Sequence, residues 1–234
     1  MTGGGKNKPH ARHVVVLHGI GMSRSWMLGL ARVLKKSGYI VHNVSYPSRH
    51  KGFEQLVEDH IAPVMLRIPA GHKVDFVGHS MGGILIRFYA KIYGSTRIGR
   101  AVMIGTPNHG SEVADYLRRW PAFGWFFGAA GLGLGTRHGD AHAALPPVDF
   151  ECGVIAGSSN WLHFPLSYMT GLPEPNDGLV TVDSTRIEGM SDHAVLNVDH
   201  SMMVWTPEVW RHAVAFLETG KFPAAPRLRH EKKS

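Results

Sequence analysis

Ser80 stands in Gly78-His79-Ser80-Met81-Gly82, after the run Val74-Asp75-Phe76-Val77 and before the apolar stretch Ile84 to Tyr93. In a chain this rich in glycine the Gly-x-Ser-x-Gly pattern says little alone, and its setting says more. A strand that feeds a tight turn and then a helix lifts a serine hydroxyl clear of a sheet, and small residues on both sides let strand and helix approach. An alcohol is a poor nucleophile until a base takes its proton and a positive environment receives the oxyanion formed at a carbonyl. The N–H of Met81, at the start of the expected helix, has no partner in the helix and lies at the positive end of its dipole. A second donor is expected from His18-Gly19-Ile20-Gly21, where glycines on both sides leave the Ile20 N–H approachable. His18 itself reads as a structural histidine that packs this loop.

The elements needed to position these groups are legible in order. His13 to Leu17 is short, β-branched and closed by His18-Gly19, which suits a buried parallel strand. Ser25 to Ser37 carries its apolar residues largely on one side and stops at Gly38, as a helix would. A strand over 39–44 follows, then a helix over 53–68 that Pro63 should kink or break. Further strands are expected at 74–77, 101–104, 151–156 and 193–198, with a closing helix over 207–217. Alternation of strands and helices predicts an α/β fold with a mostly parallel sheet flanked by helices. Two aromatic insertions, 120–135 and 161–172, follow strand ends, on the edge of an open α/β sheet where ligand sites form.

Composition narrows the classes. The 234 residues, 44% hydrophobic, suffice for one well-cored domain, expected over 13–220 with a cap-like insertion at about 111–150. The 28 glycines and 14 prolines cluster between apolar runs and read as turns. Much of the formal charge of +7 falls in two expected basic tails, 1–12 and 221–234. No zinc-ligand spacing, phosphate-binding loop or base-stacking motif accompanies that charge, so nucleic acid is not an expected partner. The single cysteine, Cys152, lies in an apolar run and reads as a small buried hydrophobe. No signal peptide or spanning run is visible, which favours the cytoplasm, a peripheral membrane location staying open and secretion following if the chain is a trimmed mature form.

Five motifs in order carry a resemblance: His18-Gly19-Ile20-Gly21, Gly78-His79-Ser80-Met81-Gly82-Gly83, Gly105-Thr106-Pro107-Asn108-His109-Gly110, Asn176-Asp177-Gly178-Leu179-Val180 and Asp199-His200. Together they resemble the bacterial true lipases and related esterases of the α/β-hydrolase superfamily, over about residues 13 to 217. The resemblance implies an α/β-hydrolase fold and a serine ester hydrolase. It implies Ile20 and Met81 as oxyanion donors, Asp177 as the triad acid and His200 as the base. The chain order Ser80, Asp177, His200 agrees with the order such hydrolases follow. Asp183 is a rival acid, expected to serve as a cap or surface charge, while Asp199 is expected to point away and His193 to sit at the wrong end of its strand. Larger members hold calcium through an acid two residues beyond the base; Met202 stands there, so no calcium and no other cofactor is expected.

For the substrate, Trp125, Phe126 and Phe127 are expected to line an acyl pocket, beneath a small mobile cap or as core, with His109 a candidate second-layer residue. The expected activity is esterase or lipase through an acyl-enzyme, acting on a small acyl ester or lipid. The alternatives are a membrane-associated lipid deacylase or acyltransferase, and a non-catalytic binding module on the same fold. Acyl length and oligomeric state are not legible.

Overall fold

A computed structural model of the chain describes residues 12–224, and at 121–123, 125, 126 and 142 the backbone only. Six strands, β1 (His13–Leu17), β2 (Ile40–Asn43), β3 (Val74–His79), β4 (Ile98–Ile104), β5 (Glu151–Gly157) and β6 (Asp192–Leu196), form one sheet in the order 2-1-3-4-5-6. Every pairing is parallel. The central strands read as unbroken apolar runs because both faces are covered. Val15, Leu17 and Phe76 enter one core layer, whereas Val14, Val16 and Val77 enter the other.

Helices α1 (Leu28–Lys36), α2 (Phe53–Leu56), α3 (Ala62–Arg67), α4 (Met81–Tyr93), α5 (Glu112–Leu117), α6 (Pro121–Leu132), α7 (Phe164–Thr170), α8 (Val182–Thr185) and α9 (Pro207–Thr219) complete the fold. Helices α2, α3 and α4 supply Leu56, Met65 and Ile84 to the first layer, while α1 and α9 supply Leu34 and Phe216 to the second. The segment expected as one helix over 53–68 is α2, a π-turn at Val57–Ile61, and α3 with Pro63 in its first turn. Proline has no N–H to give the carbonyl four residues back, so the hydrogen-bond ladder is interrupted just before it and restarts.

Two tail boundaries move. Arg12 donates to Asp75 Oδ2 at 3.0 Å and lies 4.5 Å over the Tyr39 ring. Phe222 packs 5.0 Å from Phe216, and its N–H donates to Asp192 Oδ2 at 2.8 Å. The packed domain therefore takes in residues assigned to both tails. The rest of both expected tails, 1–11 and 225–234, lies outside the described residues.

The strand register decides where chemistry gathers. Leu17 pairs with Gly78, His79 with Ile104, Ile104 with Ile155 and Gly157 with Leu196, so strands β1, β3, β4, β5 and β6 end nearly level. The loops that leave them open on one edge. The direction in which successive strands are added also reverses at β1, since β2 lies on one side of it and β3 on the other, and such a switch point leaves a crevice at the carboxyl ends of the strands.

Candidate active site

Ser80 has φ 53° and ψ −120°, and it is the single non-glycine residue with positive φ among those described. A side chain in this region is strained by roughly 1–3 kcal/mol. The surroundings hold it there: Ser80 N–H donates to Ile104 O at 2.8 Å, and Thr106 Oγ1 and Gly83 N–H donate to Ser80 O at 3.1 and 3.0 Å. The small residues are a packing necessity. A β-carbon on Gly78 would collide with the Gly82 carbonyl, one on Gly82 would lie 2.6 Å from Leu17 O, and one on Gly83 would strike Thr106. The loop after β1 is pressed on the same turn, since a β-carbon on Gly19 would lie 3.3 Å from Ser80 Cβ.

Asp177 and His200 arrive from the other side of the edge. Asp177 Oδ1 accepts the N–H groups of Leu179 and Val180 at 3.0 and 2.8 Å, which fixes the carboxylate. Its Oδ2 lies 2.7 Å from His200 Nδ1, and its carbonyl accepts the His200 N–H at 2.9 Å. A carboxylate can only accept, so Nδ1 carries the imidazole proton and Nε2 is left with a lone pair. Burial pushes the His200 pKa down, but the charge and hydrogen bond of Asp177, with Asp199 nearby, outweigh it and hold the value above the ordinary 6.5. His79 lies directly beneath, its Nε2 3.1 Å from His200 O, and burial lowers its pKa to about 3, so it adds no competing charge.

Ser80 and His200 both line one cavity of about 220 Å³. Among the described residues no direct hydrogen bond joins Ser80 Oγ to the His200 ring; such bonds are often long until a substrate tightens them. The walls are Leu117, Phe127, Leu134, Leu166 and Val180, with Ile20 beside the serine. Neither the Ile20 N–H nor the Met81 N–H has a hydrogen-bond partner among the described residues, so both remain able to donate. A larger, open hollow of about 670 Å³ at the opposite edge has Ser95 and Thr96 in its lining but no histidine to act as their base, and its Arg12 and Arg100 are paired with Asp75 and Glu151.

A family model described as the alpha/beta hydrolase fold matches residues 12–140, more than half of the chain. The chain belongs to the α/β hydrolase fold family. Solved structures agree on the fold of this α/β hydrolase. It is 19% identical to the mature lipase BlEst2 of Bacillus licheniformis, at a TM-score of 0.64, with 91% of this chain and 93% of that one covered. It is 16% identical to the metagenomic carboxyl esterase MGS0156, at a TM-score of 0.65, covering 82% and 65%. Polyneuridine aldehyde esterase is 19% identical, at a TM-score of 0.57, covering 88% and 99%.

Within this hydrolase fold the rival residues fall elsewhere. Asp183 sits in α8, points to solvent and pairs loosely with Arg186 at 3.7 Å; Thr181, not Asp183, caps that helix. Asp199 is buried and turned from the His200 ring, holding His163 Nδ1 at 2.9 Å. His193 lies near the start of β6, with its Nε2 3.1 Å from Thr185 Oγ1. His18 is buried, stacked 3.9 Å from Tyr46, which donates to the His18 carbonyl. Burial raises the Cys152 thiol to about 12, which suits a core side chain.

One substrate-side assignment is corrected. His109 is exposed and does not line the cavity. After β4 the chain instead buries its neighbour Asn108, gripped by Arg87 through the Asn108 carbonyl at 3.1 Å and by the Thr185 carbonyl on Nδ2 at 2.8 Å. That anchorage turns His109 outward. Phe127 does line the cavity, whereas the side chains of Trp125 and Phe126 lie outside those described. Their segment is α6, kinked at Gly128, where φ is 60° and any β-carbon would collide with Arg49 O.

His163 was not singled out from sequence, although it lines the cavity. It lies in an aromatic stretch with no recurring motif, and its partner Asp199 is 36 residues away. Among the described residues no group of three or more His, Cys, Asp or Glu is placed to hold a metal ion, and no helix is long and apolar enough to cross a membrane.

Proposed function

We propose that this protein is a serine carboxylic-ester hydrolase that works through an acyl-enzyme. The observation carrying this reading is the strained Ser80 sharing one apolar cavity with an imidazole whose Nδ1 proton is fixed on buried Asp177. Ser80 Oγ attacks the ester carbonyl while His200 Nε2 takes its proton, and Asp177 stabilises the imidazolium. The N–H groups of Ile20 and Met81 receive the oxyanion, and His200 hands the proton to the departing alcohol. Water then repeats the sequence on the acyl-enzyme and frees the acid. The likeness to a solved lipase and a solved carboxyl esterase supports the same reaction class.

Cavity size sets the expected acyl length. An aliphatic cavity of about 150 Å³ takes benzene, so on that scale the site holds roughly eight or nine carbon atoms. Turnover of p-nitrophenyl esters is expected to rise with acyl length up to about eight carbons and to fall at least about tenfold by sixteen, where the chain must leave the cavity for water. Initial rates across such a panel check this. No turnover of any member would sink the reading.

One observation favours a second reading, a lipid deacylase working at a membrane. Trp161, Phe164, Tyr168 and Met169 are exposed on or beside α7, the segment that gives Leu166 to the cavity wall. Aromatic side chains of this kind settle at the headgroup level of a bilayer. On this reading the protein sediments with phosphatidylcholine vesicles and Trp161→Ser with Phe164→Ser weakens that binding by about tenfold. A protein that stays in the supernatant is a soluble esterase.

A further inference from the structure

We propose that His163 is a specificity residue that reads the alcohol half of the ester, accepting a hydrogen bond from a free hydroxyl. Partial esters of polyols are then favoured over esters of simple alcohols. The inference rests on the ester-hydrolase reading above.

Two His–carboxylate pairs stand side by side at the cavity. Besides His200 with Asp177, His163 Nδ1 lies 2.9 and 3.1 Å from the two oxygens of Asp199, a carboxylate with no solvent exposure. Asp199 also accepts the N–H groups of Leu162 and Ser201, each at 3.2 Å, so its position is fixed from three sides. His163 is further pinned by the acid loop, because a β-carbon on Gly178 would lie 2.6 Å from His163 Cβ. A side chain held this closely is a built part of the wall.

The proton on His163 follows from its partner. Asp199 can only accept, so in the neutral imidazole Nδ1 carries the hydrogen and Nε2 presents a lone pair. That lone pair has one contact, a long one of 3.4 Å to Ser201 Oγ. The other polar side chain of the wall, Ser111, gives its one hydrogen to Leu179 O at 2.7 Å and already accepts from Ala114 N at 3.3 Å. His163 Nε2 is thus the acceptor best able to bond a ligand, and it selects a donor such as a hydroxyl.

Position decides which half of the substrate meets it. His200 must deliver its proton to the departing alcohol, so the alcohol oxygen lies at His200 Nε2. His163 touches both chain neighbours of His200, Asp199 and Ser201, which places it on that side of the cavity. The acyl chain has the aliphatic lining, Leu117, Phe127 and Leu134 among it, to fill. A hydroxyl one or two carbons from the ester oxygen is the group that meets Nε2.

The test compares kcat/KM for 1-monooctanoylglycerol and ethyl octanoate in the wild type, His163→Phe and His163→Gln. Taking the ratio within each preparation cancels any loss of folded protein. The wild type is expected to favour the glyceryl ester, and His163→Phe to lower the ratio roughly five- to twentyfold, the loss of one partly buried hydrogen bond. The change should fall mainly in KM of the glyceryl ester, and His163→Gln, whose amide oxygen can accept, should recover at least half of it. A wild-type ratio near one, or a ratio unchanged in His163→Phe, overturns the proposal while leaving the ester-hydrolase reading standing. Failure of both esters, with no fluorophosphonate labelling of Ser80, removes both together.

Discussion

Replacement of Ser80 by alanine is expected to lower kcat on p-nitrophenyl octanoate by about 10⁵–10⁶-fold, the scale on which serine hydrolases lose rate with their nucleophile. Alanine keeps the β-carbon, so it fits the φ 53° turn as serine does, and circular dichroism and the thermal midpoint should change little. Covalent labelling by a fluorophosphonate should vanish with the activity. The size of the effect follows from the geometry: the cavity offers no second nucleophile, since its remaining polar side chains are Ser111, engaged with Leu179 O and Ala114 N, and the two histidines. A labelled, active Ser80→Ala protein would place the nucleophile elsewhere and dismantle the proposed mechanism.

Asp177→Asn is expected to lower kcat by about 10⁴-fold with the fold retained. Asparagine can still accept the Leu179 and Val180 N–H groups through its oxygen, which turns its NH₂ toward His200 Nδ1. Nδ1 must then accept, the imidazole proton moves to Nε2, and Ser80 faces a donor where it needs a base. The pH dependence carries a second signature. His200 must be neutral to act, and in the native protein its pKa is held above 6.5, so activity falls as pH drops through that raised value. In the asparagine variant the charge of Asp177 is gone while burial remains, so the residual activity should keep its acid limb at lower pH. Rate profiles across roughly pH 5–9 would show it. An acid limb that stays put, or a variant with near-native kcat, would exclude Asp177 as the partner of His200.

The proposed partition of the cavity links these results to specificity. On this proposal Ser80, His200 and Asp177 set whether an ester is cleaved, the aliphatic lining sets how long an acyl chain fits, and His163 sets which alcohol leaves. The first two changes are large because they remove a reacting atom or reverse a proton. The His163 effect is small by comparison because it removes one hydrogen bond.

The strands and their succession along the chain were legible because a sheet covered on both faces leaves unbroken apolar runs, and glycines punctuate their ends. Ser80 was legible for a local reason: the collisions that require Gly78, Gly82 and Gly83 are contacts within a few residues or with the adjoining strands, and they mark the sequence directly. Element boundaries were less so. Pro63 announced an interruption, but whether it would bend a helix or split it depended on the core packed behind it.

What only the tertiary structure decided is pairing across distance. Asp177 and Asp199 each stand near a histidine in sequence or space, and one holds His200 while the other holds His163 because the turn at Asn176 to Val180 sets the first carboxylate against His200 Nδ1. His109 looked like a wall residue until the grip of Arg87 on Asn108 turned it to solvent. Residue types and local spacing determined the strands along the chain, the serine turn and the apolar character of its surroundings. The direction a polar side chain faces is set by hydrogen bonds to partners tens of residues away, and that information exists only once the chain has folded.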